Sequence, residues 1–103
     1  MYIVVFVTAS NKKEADKIAN ELIRKKAAAC VNIVERIESV YRWQGKIEKG
    51  KESLLIIKSK KKKLPAIIKL VQALHSYTVP EIIALPIIGG EKKYLEWIDE
   101  SLR

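Results

Sequence analysis

The stretch from Ala27 to Gly45 constrains the fold more than any other part of the chain. It opens on the small residues Ala27, Ala28, Ala29 and Cys30, beside which a neighbouring backbone can lie close, and continues through Val, Ile, Tyr and Trp to a glycine. That composition predicts one long β-strand. The apolar parity changes partway along it. Val31 and Ile33 are odd-numbered, as are Ile37, Ser39, Tyr41 and Trp43, whereas Val34 and Val40 fall on the other parity. Side chains alternate strictly along a strand, so the shift predicts a bulge between Val34 and Ile37. A strand of about 15 residues spans roughly 50 Å, more than the core of so short a chain can cover. Part of it is therefore expected to pair with another subunit.

The flanking segments supply the other elements. Tyr2 to Val7 is a β-branched and aromatic run, expected as a strand buried on both faces. Asn11, with Glu14 three residues on, has the spacing of a helix N-cap whose carboxylate reaches back to the cap. Ala15, Ile18, Ala19, Leu22 and Ile23 then recur at helical spacing, ending near Lys25 and Lys26. Gln44-Gly45 marks a tight hairpin. The return runs through Lys46 to Glu48, with an irregularity expected at Gly50, into a buried strand from Ser53 to Lys58. Lys60 to Lys63 open a second helix striped by Leu64, Ile67, Ile68, Val71, Leu74 and His75, with Pro65 tolerable in its first turn. Glu81 to Ile88 is a further strand in which Pro86 suggests an edge or a bulge. Gly89-Gly90 breaks it, and a terminal helix from Glu91 to Leu102 uses Leu95, Ile98 and Leu102.

This order, βαβ, hairpin, βαβ and a last helix, is the split βαβ or ferredoxin-like arrangement, an α+β fold with both main helices on one face of an antiparallel sheet. The other face is expected to be covered by neighbouring copies, with Tyr41, Trp43 and the terminal helix bearing Tyr94 and Trp97 as the cover. With 103 residues and 49% hydrophobic content the whole of 1–103 fits one domain. A single Cys excludes an intrachain disulfide, and the N-terminus lacks the pattern of a secretory signal, so the expected compartment is cytoplasmic and reducing. No apolar run is long enough to span a bilayer. Charged residues reach 31%, chiefly Lys and Glu, while Met and Cys occur once each, the balance of thermostable proteins from hot environments.

Several runs together carry a resemblance: Ala28 to Asn32; Ser39-Val40-Tyr41-Arg42-Trp43-Gln44-Gly45; Glu52 and Lys58; His75 to Ile83; and Tyr94 to Ile98. In that order, over nearly the whole chain, they resemble the CutA family of divalent-cation tolerance proteins. The resemblance implies a ferredoxin-like subunit, a tight homotrimer in which the long hairpin strands pair between subunits, and a role in tolerance of copper and other divalent metals. Ser76 stands where that family usually carries proline.

The residues themselves offer three kinds of chemistry. Cys30 is a soft donor suited to copper(I) or zinc and His75 can add an imidazole, but one of each cannot close a tetrahedral site, so metal ligation requires several copies. Both residues also have structural readings, Cys30 as a small buried hydrophobe and His75 as a hydrogen-bonded helix-end ring. Tyr41, Trp43, Tyr77, Tyr94 and Trp97, with Glu52, Lys58 and His75, can line a cleft between subunits, although aromatics are enriched in interfaces in any case. An excess of Lys in such a cleft would suit a small anion or a nucleotide, as in the similar trimeric PII-type signalling proteins. Nucleic-acid binding ranks third. The net charge of +8 and Lys58-Ser59-Lys60-Lys61-Lys62-Lys63 attract polyanions. Yet the strand from Ser53 to Lys58 lacks the aromatics and the Gly-Phe signature of RNA-binding sheets, so no specific nucleic acid is expected. No Gly-rich phosphate loop, Ser elbow or paired nucleophile is present, so the chain is expected not to be an enzyme, and no cofactor is required beyond a metal ion.

Overall fold

The computed structural model describes residues 1–103, in the order β1 (Tyr2–Ala9), α1 (Lys12–Arg24), β2 (Cys30–Trp43), β3 (Lys46–Lys60), a 3-10 turn (Lys61–Lys63), α2 (Leu64–Leu74), β4 (Ile82–Pro86) and α3 (Lys92–Ser101). The four strands form one antiparallel sheet ordered β2-β3-β1-β4, the split βαβ topology.

The odd-numbered residues of β1 and β3 set one face of this sheet. Ile3, Val5, Val7, Leu55 and Ile57 are buried there against Ala15, Ile18, Ala19 and Leu22 of α1 and Ile67 and Val71 of α2. Burying each aliphatic side chain contributes roughly 1.5–3 kcal/mol, so this layer is the main source of stability. Ile23, placed on the α1 stripe by spacing, stays 44% exposed. The other face carries Tyr2, Val4, Phe6, Leu54, Ile56, Ile83 and Leu85, none of them buried.

The expected bulge is present. The pairing jumps from Val34 opposite Leu54 to Ile37 opposite Glu52, leaving Glu35 and Arg36 to face Ser53 alone, and Arg36 has φ +56°. The extra residue keeps one chemical face continuous. Before it Cys30, Asn32 and Val34 share the open face, and after it Ile37, Ser39, Tyr41 and Trp43 do. A two-residue turn at Gln44 (φ +50°) and Gly45 (φ +78°) closes the hairpin, the geometry that matches strand twist.

Several elements depart from the sequence reading. Gly50 introduces no irregularity: β3 is unbroken, Gly50 lies opposite Ser39, and a Cβ there would meet the Tyr41 hydroxyl at 3.8 Å. α2 begins at Leu64 after the 3-10 turn, with Pro65 in its first turn as the missing N–H requires. β4 is shorter than expected because Pro86 cannot extend the ladder, although the Ile87 N–H still donates to the Tyr2 carbonyl. His75 is not on the α2 stripe. Its backbone is extended (ψ 143°) where the helix ends. Finally, α3 covers part of its own sheet, while its Tyr94 and Trp97 stay exposed. Ile98 and Leu102 pack with Ala29, Tyr2 and Leu95, and Asp99 accepts hydrogen bonds from the Tyr2 hydroxyl (2.5 Å) and the Lys60 ammonium (2.7 Å). Those two bonds hold the Asp99 carboxyl below its ordinary range.

No helix is long and apolar enough to cross a membrane.

Candidate functional site

The open sheet face carries two groups of side chains at opposite ends. The residues singled out from sequence divide between them.

At the end nearest α3, Cys30 is half-buried on the edge strand β2. Its Sγ lies 3.9 Å from the Lys58 Nζ and 3.9 Å from Asn32 Oδ1. Lys58 is directly opposite Cys30 in the ladder, so the register itself brings ammonium and thiol together. Tyr94 of α3 lies beside them. Burial, and then the sulfur, push its phenol up from the ordinary value. Tyr94 in turn packs on Trp97, with ring centroids 5.5 Å apart and Trp97 42% exposed. This end thus holds Cys30, Lys58, Tyr94 and Trp97.

At the other end, where the hairpin projects past the helices, a cleft of 680 Å³ is lined by Thr8, Ser39, Val40, Tyr41, Trp43, Glu52, the segment from Ser76 to Val79, and Glu81. Glu52 accepts a hydrogen bond from the Tyr77 hydroxyl at 2.8 Å. Burial and that carboxylate raise the Tyr77 phenol well above its usual value, so it remains a donor at neutral pH. Burial also pushes Glu81 up, and the charge on Glu52 adds to the shift. No Lys or Arg lines the cleft, in contrast to the lysine excess expected from composition.

His75 lies behind this cleft. Its side chain is fully buried, with Nε2 2.6 Å from the Thr8 carbonyl and Nδ1 3.0 Å from the Tyr77 N–H. A carbonyl can only accept and an N–H can only donate, so the ring carries its proton on Nε2 and both nitrogens are engaged. Its ring packs on Tyr77 at 4.6 Å. The Glu14 carboxylate completes the support, accepting from the Ser10 N–H (2.7 Å), the Ser10 hydroxyl and the Ser76 N–H. The reach of Glu14 is therefore to Ser10 and Ser76, while the Asn11 side chain caps the helix by accepting from the Glu14 N–H at 2.9 Å.

Cys30 and His75 are not brought together. Cys30 lies in the row of Lys58 and Val4, and His75 bonds Thr8, four positions further along β1. No group of three or more His, Cys, Asp and Glu within the chain is arranged to hold a metal ion. Glu81, Glu14, Thr8 and Ser39 were not singled out as site residues. Glu81 adjoins the Tyr77 to Pro80 loop in sequence, which was a usable signal, whereas Thr8 and Ser39 reach the cleft only through the sheet and Glu14, on α1, supports its rim through the Ser76 N–H.

Comparison with known proteins agrees with this architecture. The family model described as CutA1 divalent ion tolerance protein matches residues 3–101. Protein CutA 1, chloroplastic, of Oryza sativa subsp. japonica is 54% identical over 101 residues, covering 98% of this chain and 57% of that protein. Protein CutA, chloroplastic, of Arabidopsis thaliana is 52% identical over 98% of this chain, which spans only 56% of the plant protein. Divalent-cation tolerance protein CutA of Thermus thermophilus is 45% identical over 98 residues, 95% of either chain. Among solved structures, the periplasmic divalent cation tolerance protein CutA of Archaeoglobus fulgidus superposes with a TM-score of 0.97 at 44% identity, covering 100% of both chains. With the same sheet and helices along its whole length and this degree of identity, the chain belongs to the CutA1 divalent ion tolerance protein family.

Proposed function

We propose that this chain acts in tolerance of divalent metals by binding copper, as a homotrimer of one-domain subunits, and that it catalyses no reaction. The observation that carries the reading is the placement of Cys30. It is the sole soft donor of the chain apart from Met1, half-buried on an edge strand, on the sheet face that no helix of the subunit fully covers. Thiolate suits copper(I). Because no three ligating groups meet within a subunit, the ligand set has to be completed between copies. Family membership supports the same reading, since the Thermus thermophilus relative is named a divalent-cation tolerance protein. In this proposal Cys30 is the donor, and His75, whose nitrogens are both occupied, supports the fold behind the cleft.

A thiolate site fits a reducing compartment such as the cytoplasm. A small anion or nucleotide in the cleft is the weaker reading, because Glu52 and Glu81 oppose it without a compensating cation in the lining.

Anaerobic titration of the purified protein with copper(I) against a competing chelator tests the proposal, with zinc and copper(II) for comparison. Binding at a whole-number ratio per trimer, lost in Cys30→Ser and kept in His75→Ala, is expected. Weak binding that Cys30→Ser leaves unchanged would overturn it.

A further inference from the structure

Two lysine runs far apart in sequence come together at the end of the helical layer remote from the hairpin turn. Lys25 and Lys26 follow the last turn of α1, and Lys61, Lys62 and Lys63 lead into α2. The Ser59 hydroxyl donates to the Ala27 carbonyl at 2.7 Å, and the Ala29 N–H donates to the Lys58 carbonyl at 2.9 Å. The segment leaving α1 is thus stitched to the segment entering α2. All five lysines are exposed except Lys63, which is half-buried. None of them, nor Lys69 on α2, forms an ion pair within the chain. The carboxylates that adjoin the two runs are already taken, Glu21 by Arg24 and Asp99 by Lys60.

The surroundings concentrate this charge. From Ser53 to Pro80 the chain contains no Asp or Glu. A groove of 500 Å³ continues the cluster along α2, with Lys61 and Lys69 at its ends, Leu64, Pro65, Ile68 and Gln72 between them, and no carboxylate. Lys61, Lys62 and Lys63 also stand at the positive end of the α2 dipole, where no acidic residue and no capping side chain offsets them. Cations there cost stability in the free protein, and an anion bound to them relieves that cost. The cluster belongs to the helical layer, across the sheet from the open face assigned to assembly.

The residue types indicate which polyanion fits. Cluster and groove hold no Phe, Tyr or Trp on which an unpaired base could stack, and Gln72 is their one amide, so they suit phosphates rather than bases. They also lack the exposed aromatic or leucine anchors of a membrane-surface helix, since Leu64 and Ile68 are half-buried. We propose that this basic surface binds double-stranded nucleic acid through its phosphate backbone, without reading base sequence, and that Lys25, Lys26, Lys61, Lys62 and Lys69 contact the phosphates. It uses neither Cys30 nor the open face, so it stands or falls independently of copper binding.

Fluorescence anisotropy of a labelled DNA duplex of about 20 base pairs, titrated with the protein in its native assembly between about 50 and 200 mM salt, tests the proposal. Five phosphate contacts give a slope of log K against log salt of about −4.5. Lys61→Gln with Lys62→Gln should reduce the magnitude of that slope by about 2 and weaken binding about tenfold or more at the lower salt, and Lys25→Gln with Lys26→Gln should do the same. Lys12→Gln with Lys13→Gln removes equal charge at the far end of α1 and should change affinity by less than about threefold. Duplexes of unrelated sequence should bind alike. No binding at the lower salt, a slope that the Lys25/Lys26 and Lys61/Lys62 variants leave unchanged, an equal loss in the Lys12/Lys13 variant, or tighter binding of a single strand of the same length would overturn the proposal. So would Lys61-dependent binding to phosphatidylglycerol vesicles without binding of the duplex, which would make the surface a membrane contact.

Discussion

Glu14 ties the start of α1 to the rim of the cleft. Burial raises the pKa of its carboxyl, but three hydrogen bonds, two from Ser10 and one from the Ser76 N–H, more than offset this and bring it to about 2. A carboxylate depressed in the folded state stabilises it above its unfolded value, here about 4.5, and that contribution disappears as pH falls toward 2. Glu14→Gln should therefore cost about 1–3 kcal/mol at pH 7 and flatten the acid limb of stability between pH 5 and 2, as denaturant melts across pH would show. Ser76→Pro removes the N–H that Glu14 accepts. It should shift stability by a similar amount, and Ser76→Ala, which keeps that N–H, should not. Asn11 was legible as a cap from its spacing to Glu14, because that pattern is local, although the Glu14 carboxylate reaches Ser10 rather than the Asn11 N–H. The bond from Glu14 to Ser76 crosses 62 positions and has no sequence periodicity to announce it. His75 was misplaced on the α2 stripe for a related reason. Spacing cannot distinguish a last helical residue from a cap whose side chain turns to the sheet.

The bulge in β2 shows how one residue sets an element's function. Without it, every side chain beyond Val34 would change face, and Tyr41 and Trp43 would leave the cleft. Deleting Arg36 should accordingly abolish the assembly state and the cleft together while leaving β1, α1 and α2 folded, measurable by light scattering and by the retained helical signal. In the turn, Gln44 adopts φ +50°, which Asn tolerates better, so Gln44→Asn should stabilise the hairpin by about 0.5 kcal/mol in thermal melts. The parity shift made the bulge readable because apolar residues mark both faces. Gly50 was misread for lack of that information, since a glycine carries no side chain to report its register, and here it simply continues the ladder opposite Ser39.

For the whole molecule, the open face is the dominant fact. Val34, Ile83, Leu85, Tyr41 and Trp43 are 43% to 53% accessible in the subunit, and both sheet edges, β2 and β4, are free. Apolar area of this kind invites further copies of the chain. Light scattering should give three times the subunit mass, with a melting temperature that rises with protein concentration, and Trp43→Ala should weaken assembly by about 2–4 kcal/mol. A monomer would refute the homotrimer proposal. The fold class was legible because element order alone specifies a split βαβ sheet. The site was half legible: the aromatic and polar residues were named as one set, yet the register separates them into two ends of one face. Sequence carries residue type, and only pairing carries distance.

The bonds from Asp99 to Tyr2 and Lys60 have a topological consequence. They fasten the last helix to the first strand, one residue from Met1 and four from Arg103, at the pole of the sheet remote from the hairpin tip, where Tyr2 pairs with Lys60. Any extension joined to either terminus projects from that pole. A permuted chain with its old ends linked and new ones opened at the Gln44-Gly45 turn should keep the architecture, and fusions or surface tethers attached through the native ends leave the hairpin pole facing solution.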